Sequence, residues 1–563
     1  MKSTLNGYLL RVDLTSGKCN REPLYDSLLE ERIGGRSLAV AILQSYANLE
    51  PLEPDMPLIF SVGPLCGSQV PLSSRSVLTG RSPLTGTIFS VTSGGTLARC
   101  MLGAGLMAIL IHGQAGSPVI LEITPSGDCL LPADKLWGFE TDKALRLLAP
   151  DAGSVALIGS AGEREVLYAS IETSAGESFS RGGFGAVMGA KRLKGIVLKA
   201  TPAVRQIADP SGFDKAMEDL LRLFRASPFL MGPFGIRENG TSALVDLLFQ
   251  RGMLPGRNFT DFSGEPASFN AVAIRERYKP LKGGCDDCLI ACKRVVSDGS
   301  WLPDYEALAA FGAISPFDSI DEIVWLCKRC GDIGVDPVSF SATVATFCEI
   351  SGNSIEPVFI RNLLEELGKG TINGLKLAKG AARLASESGV SELAMTVKGL
   401  ELPPFDPRAS TALALGYATS PHGGSHLTSW SIASEILRKP VPTDRFSFDG
   451  KARIVAMFED ANALVDSILL CRFVSVAAEL QELAAILTAV TGRVYSPADL
   501  QQIGRKTIQD ERSFNCSCGF TEADDTLPLR FFTESANGRP PVDRKRFEQE
   551  LLAYHRIRAA QCQ

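Results

Sequence analysis

No apolar run in this sequence approaches the length that spans a bilayer, which argues against a membrane protein. The apolar stretch at residues 106–111 has the length of a buried core strand instead. The N-terminus lacks the apolar segment of a secretory leader and runs directly into a strand-like pattern at residues 8–14. We therefore expect a cytoplasmic protein whose fourteen cysteines are reduced thiols and metal ligands rather than disulfides.

Basic blocks and nucleotide-binding motifs are also missing. The net charge is −6 and no block of Lys and Arg occurs, which argues against nucleic acid as a partner. The sequence contains no Walker A motif and no Gly-x-Gly-x-x-Gly after a clear strand of a βαβ unit. A nucleotide is thus not indicated, although 563 residues are enough for several domains.

The composition and the hydrophobic periodicity of the chain change once along its length. Residues 1–205 are rich in Gly, Ser, Thr and Pro and contain short apolar alternations, as at residues 118–123. Helical periodicity begins near residue 206, for example at residues 213–223, and continues to the C-terminus with a break near residues 401–408. These patterns predict an α+β fold with a β-rich domain at 1–205 and mainly helical domains at 206–410 and 411–563.

Three clustered cysteines and one remote cysteine are the most informative motif. Cys285, Cys288 and Cys292 share one loop, and Cys471 lies far downstream. A loop that holds three corners of a four-iron cubane, with the fold supplying the last ligand, has this pattern. A structural zinc site usually brings two close pairs instead. Zinc and unrelated buried thiols remain the alternatives.

Glycine-rich segments in the first 205 residues form a second motif. They occur at residues 63–65, 82–86, 92–95 and 181–191, next to Ser, Thr and Arg. Glycine backbone can approach phosphates closely and direct N–H groups at them. Taken singly, each segment is more typical of a tight turn in a β-rich domain.

Together these motifs resemble the aldehyde:ferredoxin oxidoreductases, which are tungsten enzymes with a bis-pyranopterin cofactor beside a four-iron cluster. The resemblance covers nearly the whole chain. It also includes Pro303-Asp304-Tyr305-Glu306, Gly424-Ser425-His426-Leu427, Asp466-Ser467-Ile468-Leu469-Leu470-Cys471 and residues 519–528. It implies that the β-rich domain binds the pyranopterin and that the helical domains enclose the cofactor.

The resemblance also assigns the binding residues. It implies that Cys285, Cys288, Cys292 and Cys471 ligate a [4Fe–4S] cluster and that Arg75 lies between the cluster and the pterin. Contacts to the pterin, and to a Mg²⁺ that bridges its phosphates, are implied for Arg75, Thr92, Gly94, Arg181, Gly182, Phe184, Gly185, Val335, Asp336, His422, Asp466 and Arg472. This chain departs from the family pattern at Gly331, at Leu469 and at Ser425, which puts local pterin contacts in question.

Glu306 and His426 match the catalytic carboxylate and the active-site histidine of the family. Glu306 could take a proton from water that attacks an aldehyde, provided that burial raises its pKa towards neutrality. His426 could donate a hydrogen bond to the substrate oxygen. The implied activity is oxidation of aldehydes to carboxylic acids, with electrons passing to ferredoxin or to an iron–sulfur partner subunit.

Several alternatives remain open at this level. One is a reductase of the same family that acts on an acid or an aromatic thioester. Another is a cofactor-binding or electron-transfer subunit without catalysis, and a third is a zinc-stabilised interaction protein. The sequence does not distinguish tungsten from molybdenum, because the pterin sulfurs hold the metal, nor a homodimer from a hetero-oligomer.

Overall fold

The structure, a computed structural model, describes residues 7–149, 153–174 and 176–560. Residues 1–6, on which the expectation about a leader partly rests, lie outside the described residues. No helix of the described chain is both long enough and apolar enough to cross a membrane.

Two six-stranded sheets build the first part of the chain. The first sheet has the order β2-β1-β6-β3-β4-β5 and the second the order β11-β10-β9-β12-β7-β8. The strands are β1 (Tyr8–Asp13), β2 (Lys18–Pro23), β3 (Leu58–Ser61), β4 (Arg75–Arg81), β5 (Ile88–Gly94), β6 (Leu106–His112), β7 (Val119–Thr124), β8 (Gly127–Pro132), β9 (Ser154–Leu157), β10 (Ile171–Thr173), β11 (Ser178–Phe179) and β12 (Leu193–Leu198).

Both sheets are mixed. Strand β1 runs parallel to β6, and β12 runs parallel to β7, while the other pairs are antiparallel. The sequence LMAILIH of β6 is buried along almost its whole length, as expected for a central strand covered on both faces. The outer strands β2 and β8 are partly exposed, and the polar side chains of β2 suit an edge that must not pair with another chain.

Helices dominate the rest of the chain. In the first part they are α1 (Asp26–Arg32), α2 (Gly35–Leu43), α3 (Leu97–Gly103), α4 (Thr141–Leu148), α5 (Ser160–Glu163) and α6 (Phe184–Ala190). The later helices are α7 (Pro210–Ala226), α8 (Pro228–Met231), α9 (Ile236–Asn239), α10 (Leu244–Gln250), α11 (Ala271–Tyr278), α12 (Tyr305–Ala309), α13 (Ile320–Ile333), α14 (Pro337–Ser351), α15 (Pro357–Lys369), α16 (Ile372–Leu377), α17 (Ala381–Glu387), α18 (Thr411–Thr419), α19 (Ile432–Glu435), α20 (Lys451–Ile468), α21 (Leu480–Thr491), α22 (Pro497–Ser517), α23 (Arg530–Thr533) and α24 (Arg544–Ala560).

Short elements complete the second part. Two small hairpins pair β13 (Leu281–Gly283) with β14 (Lys293–Val295) and β15 (Thr396–Val397) with β16 (Leu400–Glu401). A π-helical turn (Ala310–Ile314) continues α12. Single 3-10 turns lie at Gln44–Tyr46, Thr241–Ala243, Arg257–Phe259, Pro266–Ser268, Ser391–Leu393, Pro407–Ala409, Arg472–Val476 and Glu522–Asp524. The predicted α+β class, β-rich first and helical afterwards, is confirmed, while the two boundaries between the three domains stay predictions.

The two parts of the chain meet backbone to backbone. Helix α2 packs against α20, and two glycines make the approach possible. A Cβ at Gly35 would lie 2.5 Å from the carbonyl oxygen of Asp466, and one at Gly63 would lie 2.7 Å from that of Ile468. One continuous hydrophobic core therefore extends through both parts, and the C-terminal end of α20 is held directly against the first sheet.

Candidate active site

A cavity of about 410 Å³ lies between the first sheet and the helical part. Arg75 and Thr92 reach it from β4 and β5, and other lining residues come from the loops around the helices. Predicted site residues that line the cavity are Arg75, Thr92, Arg181, Cys285, Cys288, Cys292, Glu306, His422, His426, Asp466, Cys471 and Arg472. Residues spread over nearly 400 positions of sequence are thus brought to one place.

The three clustered cysteines lie on the loop between β13 and β14. The pair Gly283 and Lys293 closes the base of this loop, and left-handed backbone at Asp287 and Ala291 folds the chain back. The fourth cysteine enters from the other side: the Cys471 N–H donates a 3.0 Å hydrogen bond to the carbonyl of Leu72. The thiols face one cavity from two independently fixed segments.

Burial and charge act in opposite directions on these thiols. Burial, Glu177 and neighbouring thiols raise the pKa of Cys285 to about 12, while the Arg75 guanidinium acts to lower it. Burial also raises the pKa of Cys288, with the same opposition from Arg75. Because a metal binds the thiolate, loading this loop must release protons.

Among the described residues, no group of three or more His, Cys, Asp or Glu side chains is placed to hold a single metal ion. The ligands of one zinc ion all lie within bonding distance of that ion. The four thiols of a cubane each bind a different iron and stay farther apart. The assignment of these four thiols as cluster ligands stays a prediction.

Arginines line the part of the cavity beside the cysteines. The Arg75 guanidinium donates to the Thr92 Oγ1 at 2.8 Å, which fixes it across the β4–β5 pair. Arg181 donates to the Glu401 carbonyl at 2.5 Å, and its Nη1 is buried without a hydrogen-bond partner among the described residues. A buried guanidinium N–H that is left without a partner fits a phosphate group of a bound cofactor.

Charge in the cavity lining also suits an anionic cofactor. The basic residues are Arg36, Arg75, Arg181, Lys293 and Arg472, and the acidic residues are Glu177, Asp304, Glu306 and Asp466. Five basic side chains thus face four acidic ones, and an anionic cofactor group would offset this small positive excess. The residues present therefore fit the cofactor set that the sequence predicts.

Six predicted residues do not line the cavity. A Cβ at Gly94 would lie 2.3 Å from the Cys285 Sγ, so this glycine allows the cysteine loop to approach β5. Asp336 caps α14 and accepts a 3.0 Å hydrogen bond from the Ser180 Oγ. Val335 precedes it, and Gly182, Phe184 and Gly185 lie in or next to the start of α6.

Two of the departures from the family pattern, Gly331 and Leu469, lie at or near the ends of two helices. Helix α13 ends at Gly334 with φ 83°, and α20 ends at Leu469 with φ 59°. Leucine adopts this left-handed conformation at a cost of roughly 1–2 kcal/mol, whereas glycine adopts it freely. The departure at Leu469 therefore leaves the turn before Cys471 intact.

Glu306 and His426 form a close pair in the cavity. The His426 Nε2 lies 2.9 Å from the Glu306 Oε1, and the ring of Phe405 packs on the imidazole at 4.5 Å between centroids. Glu306 is a first-turn residue of α12, and His426 lies on the loop after α18. The imidazole of His426 and the carboxylate of Glu306 thus meet in a cavity that has room for a small substrate.

The pKa of Glu306 moves in the opposite direction from the one its proposed role required. Burial acts to raise this pKa, but His426, Arg181 and Lys293 outweigh burial and the net pKa lies below its ordinary value. The positive charges in the lining explain the difference. Glu306 is thus held as a carboxylate that accepts a hydrogen bond.

Arg36 and Glu511 form a buried ion pair at the site that no local sequence pattern indicates. The buried Arg36 guanidinium donates to both Glu511 oxygens, at 2.7 and 2.6 Å, and to Asp466 at 3.1 Å. It also lies 3.3 Å from the His422 Nε2. Arg36 follows two glycines, a local signal that could have singled out this arginine. Its partner Glu511 lies 475 positions away in the sequence, so no local pattern connects the two.

Glu511→Gln should destabilise the protein in a pH-dependent way. Burial acts to raise the pKa of Glu511, but Arg36 and His422 lower it from 4.5 to about 2. This shift corresponds to about 3 kcal/mol of stability, which is fully present above the unfolded pKa and is lost as the pH falls through the folded pKa. We expect the difference in unfolding free energy between wild type and variant to shrink between pH 4.5 and 2.

Chemical denaturation over this pH range measures the difference. Glu548→Gln is a matched control, because its ion pair with Arg544 is exposed and contributes little. A difference between wild type and Glu511→Gln that stays constant with pH would contradict the coupling.

Two family models match the chain. The model described as "Aldehyde ferredoxin oxidoreductase, N-terminal domain" matches residues 9–200, and "Aldehyde ferredoxin oxidoreductase, domains 2 & 3" matches residues 215–559. The tungsten-containing aldehyde ferredoxin oxidoreductase of Pyrococcus furiosus is 32% identical, over 98% of this chain and 96% of the relative. The aliphatic sulfonate oxidoreductase, WOR-like subunit, of the same organism is 25% identical over 95% and 90%.

A solved structure shares the fold. The active site complex BamBC of benzoyl coenzyme A reductase, bound to 1,5-dienoyl-CoA, superposes with a TM-score of 0.85. The similarity covers 99% of this chain and 95% of that chain, at 21% sequence identity. At that identity the likeness concerns the fold alone.

Proposed function

The chain belongs to the aldehyde ferredoxin oxidoreductase family, and on this premise we propose that it oxidises aldehydes to carboxylic acids. In this reaction an aldehyde and water give a carboxylic acid, two protons and two electrons. The observation that carries the proposal is the Glu306–His426 pair, which lines the same cavity as four cysteines and four arginines.

A tungsten bis-pyranopterin is the cofactor implied by the family, and we propose that Arg75, Arg181 and Arg472 bind its anionic groups. When bound, this group would accept the two electrons of the oxidation. Thr92 fixes Arg75, and Asp336 fixes Arg181, whose Nε lies 3.4 Å from the Asp336 Oδ2. The proposed Mg²⁺ between the pterin phosphates, with the backbone at residues 181–185, rests on the family resemblance.

Glu306 and His426 would handle the protons. Glu306, held as a carboxylate, accepts a proton from the attacking water in this scheme, and its lowered pKa makes it a weaker base than the sequence-based expectation assumed. His426 is oriented by Phe405 and by the contact of its Nε2 with Glu306, and in this scheme its ring donates a hydrogen bond to the substrate oxygen. The apolar side chains of Phe229, Phe473 and Trp430 line the same cavity and would exclude bulk water.

Electrons would leave through the cluster held by Cys285, Cys288, Cys292 and Cys471. A [4Fe–4S] cluster exchanges one electron at a time, which suits ferredoxin or an iron–sulfur partner subunit as acceptor. Burial acts to lower the pKa of Arg75, but Cys471, Cys285 and Glu177 outweigh burial and raise it, so Arg75 is electrostatically coupled to the cysteines. A fixed cation between cluster and pterin would link the two redox groups.

Elemental analysis of anaerobically purified protein, followed by aldehyde-dependent dye reduction, tests the proposal. We expect roughly one tungsten and about four irons per chain, and dye reduction that depends on an added aldehyde. Molybdenum in place of tungsten would keep the mechanism. Zinc without iron, or full metal loading without aldehyde-dependent reduction, would refute the proposed function.

A further inference from the structure

Lys293 is a buried cation that the proposed chemistry does not use. It follows Cys292 directly, begins β14 and lines the cavity. Its Nζ makes an ion pair with Asp304 and lies 3.6 Å from the Glu177 Oε2. Its side chain is only 16% exposed, so its charge is screened far less than a surface charge would be.

The two carboxylates connect Lys293 to different parts of the site. Glu177 lies just before β11, and its Oε1 is the acceptor for the Cys285 thiol at 3.8 Å. Asp304 precedes α12, the helix that carries Glu306, and accepts a 3.1 Å hydrogen bond from the Thr241 Oγ1. The Lys293 ammonium therefore links the cysteine loop, the segment before β11 and the start of α12, the helix that carries Glu306.

The ammonium carries its positive charge next to the cysteine loop, because Lys293 follows Cys292 directly and the Asp304 and Glu177 carboxylates lie around its Nζ. A positive charge this close to a cysteine ligand favours the reduced, more negative state of a bound cluster. Without it, the Glu177 and Asp304 carboxylates would lie near the cysteine loop without a neutralising charge.

We propose that Lys293 is a positioning residue that raises the reduction potential of the cluster and ties the cluster loop to the helix that presents Glu306. The proposal rests on the proposed function, since it needs the cluster at Cys285, Cys288, Cys292 and Cys471. The proposed role of Lys293 is electrostatic, so its effect on the potential of the cluster can be measured separately from catalysis at Glu306.

A redox titration of the purified holoenzyme, followed by the EPR signal of the reduced cluster, tests the proposal. Lys293→Met should shift the midpoint potential of the cluster to a more negative value, and Lys293→Arg should restore most of it. Asp304→Asn should shift the potential in the positive direction, because it removes a negative charge from the same group. Two shifts of opposite sign are not expected from a merely structural defect.

Lys282→Met is the matched control. Lys282 lies on β13 of the same hairpin and pairs with Glu238 at 2.7 Å, but both side chains are 42% exposed. Solvent screens this charge, so its removal should leave the potential close to that of the wild type.

A Lys293→Met protein with full iron and the potential of the Lys282→Met control would overturn the inference alone. If Lys293→Met does not assemble a cluster, Asp304→Asn decides, and an unchanged potential there overturns the inference as well. A wild-type protein that binds no iron would overturn both the inference and the proposed function.

Discussion

Cys471→Ser should lose most of the cluster iron while the chain remains folded. A serine hydroxyl is a much poorer iron ligand than a thiolate, and a cubane held at three corners is exposed to loss. The Cys471 backbone is fixed independently of its side chain by its 3.0 Å hydrogen bond to Leu72. The substitution should therefore change the ligand without moving the segment.

Iron content per chain measures the loss of the cluster, and far-UV circular dichroism shows whether the chain remains folded. Cys348→Ser is the control, because Cys348 is a buried thiol of α14 that does not line the cavity. Full iron in Cys471→Ser, or equal losses in both variants, would remove Cys471 from the ligand set. Activity should fall with iron, because the electrons would then have no exit.

Glu306→Gln should abolish turnover while tungsten and iron contents stay unchanged. Glutamine keeps the shape of the side chain and its hydrogen bond to His426, but it cannot take a proton from water. Loss of a general base typically costs about 10²- to 10⁴-fold in rate. The effect should appear in kcat rather than in KM, because the group acts on the transition state.

Steady-state kinetics with an aldehyde and an artificial electron acceptor measure this effect. Glu172→Gln is a suitable control, because Glu172 is another carboxylate hydrogen-bonded to a neighbour, Ser170, at 2.6 Å, outside the cavity lining. An active Glu306→Gln variant would exclude Glu306 as the base. Loss of metal in that variant would instead assign Glu306 a structural role.

Local patterns in the sequence predict much of the secondary structure. The apolar run at residues 106–111 is strand β6, the alternation at 118–123 is β7, and the periodic segment at 213–223 lies within α7. These elements are decided by neighbouring residues, whose spacing matches a strand or a helix. The parallel pairing of β1 with β6 depends on contacts over nearly 100 residues, and local patterns carry no information on it.

The candidate site likewise contains residues that local patterns identify and contacts that they do not. Cysteine spacing and family motifs identify the residues that meet in the cavity, since each motif is local. The Arg36–Glu511 pair and the role of Lys293 could not be predicted, because each depends on segments that only the fold brings together. The lowering of the Glu306 pKa could not be predicted either, because it depends on the summed charges of His426, Arg181 and Lys293.

The glycine contacts of residues 35 and 63 with the end of α20 have a consequence for folding. The first sheet and the C-terminal helices share one core and one buried ion network, so neither can complete its packing alone. A fragment that ends near residue 205 would leave Arg36 buried without its carboxylates. We therefore expect the chain to fold as one cooperative unit, and truncation between its sequence-defined domains to yield aggregation rather than a stable half.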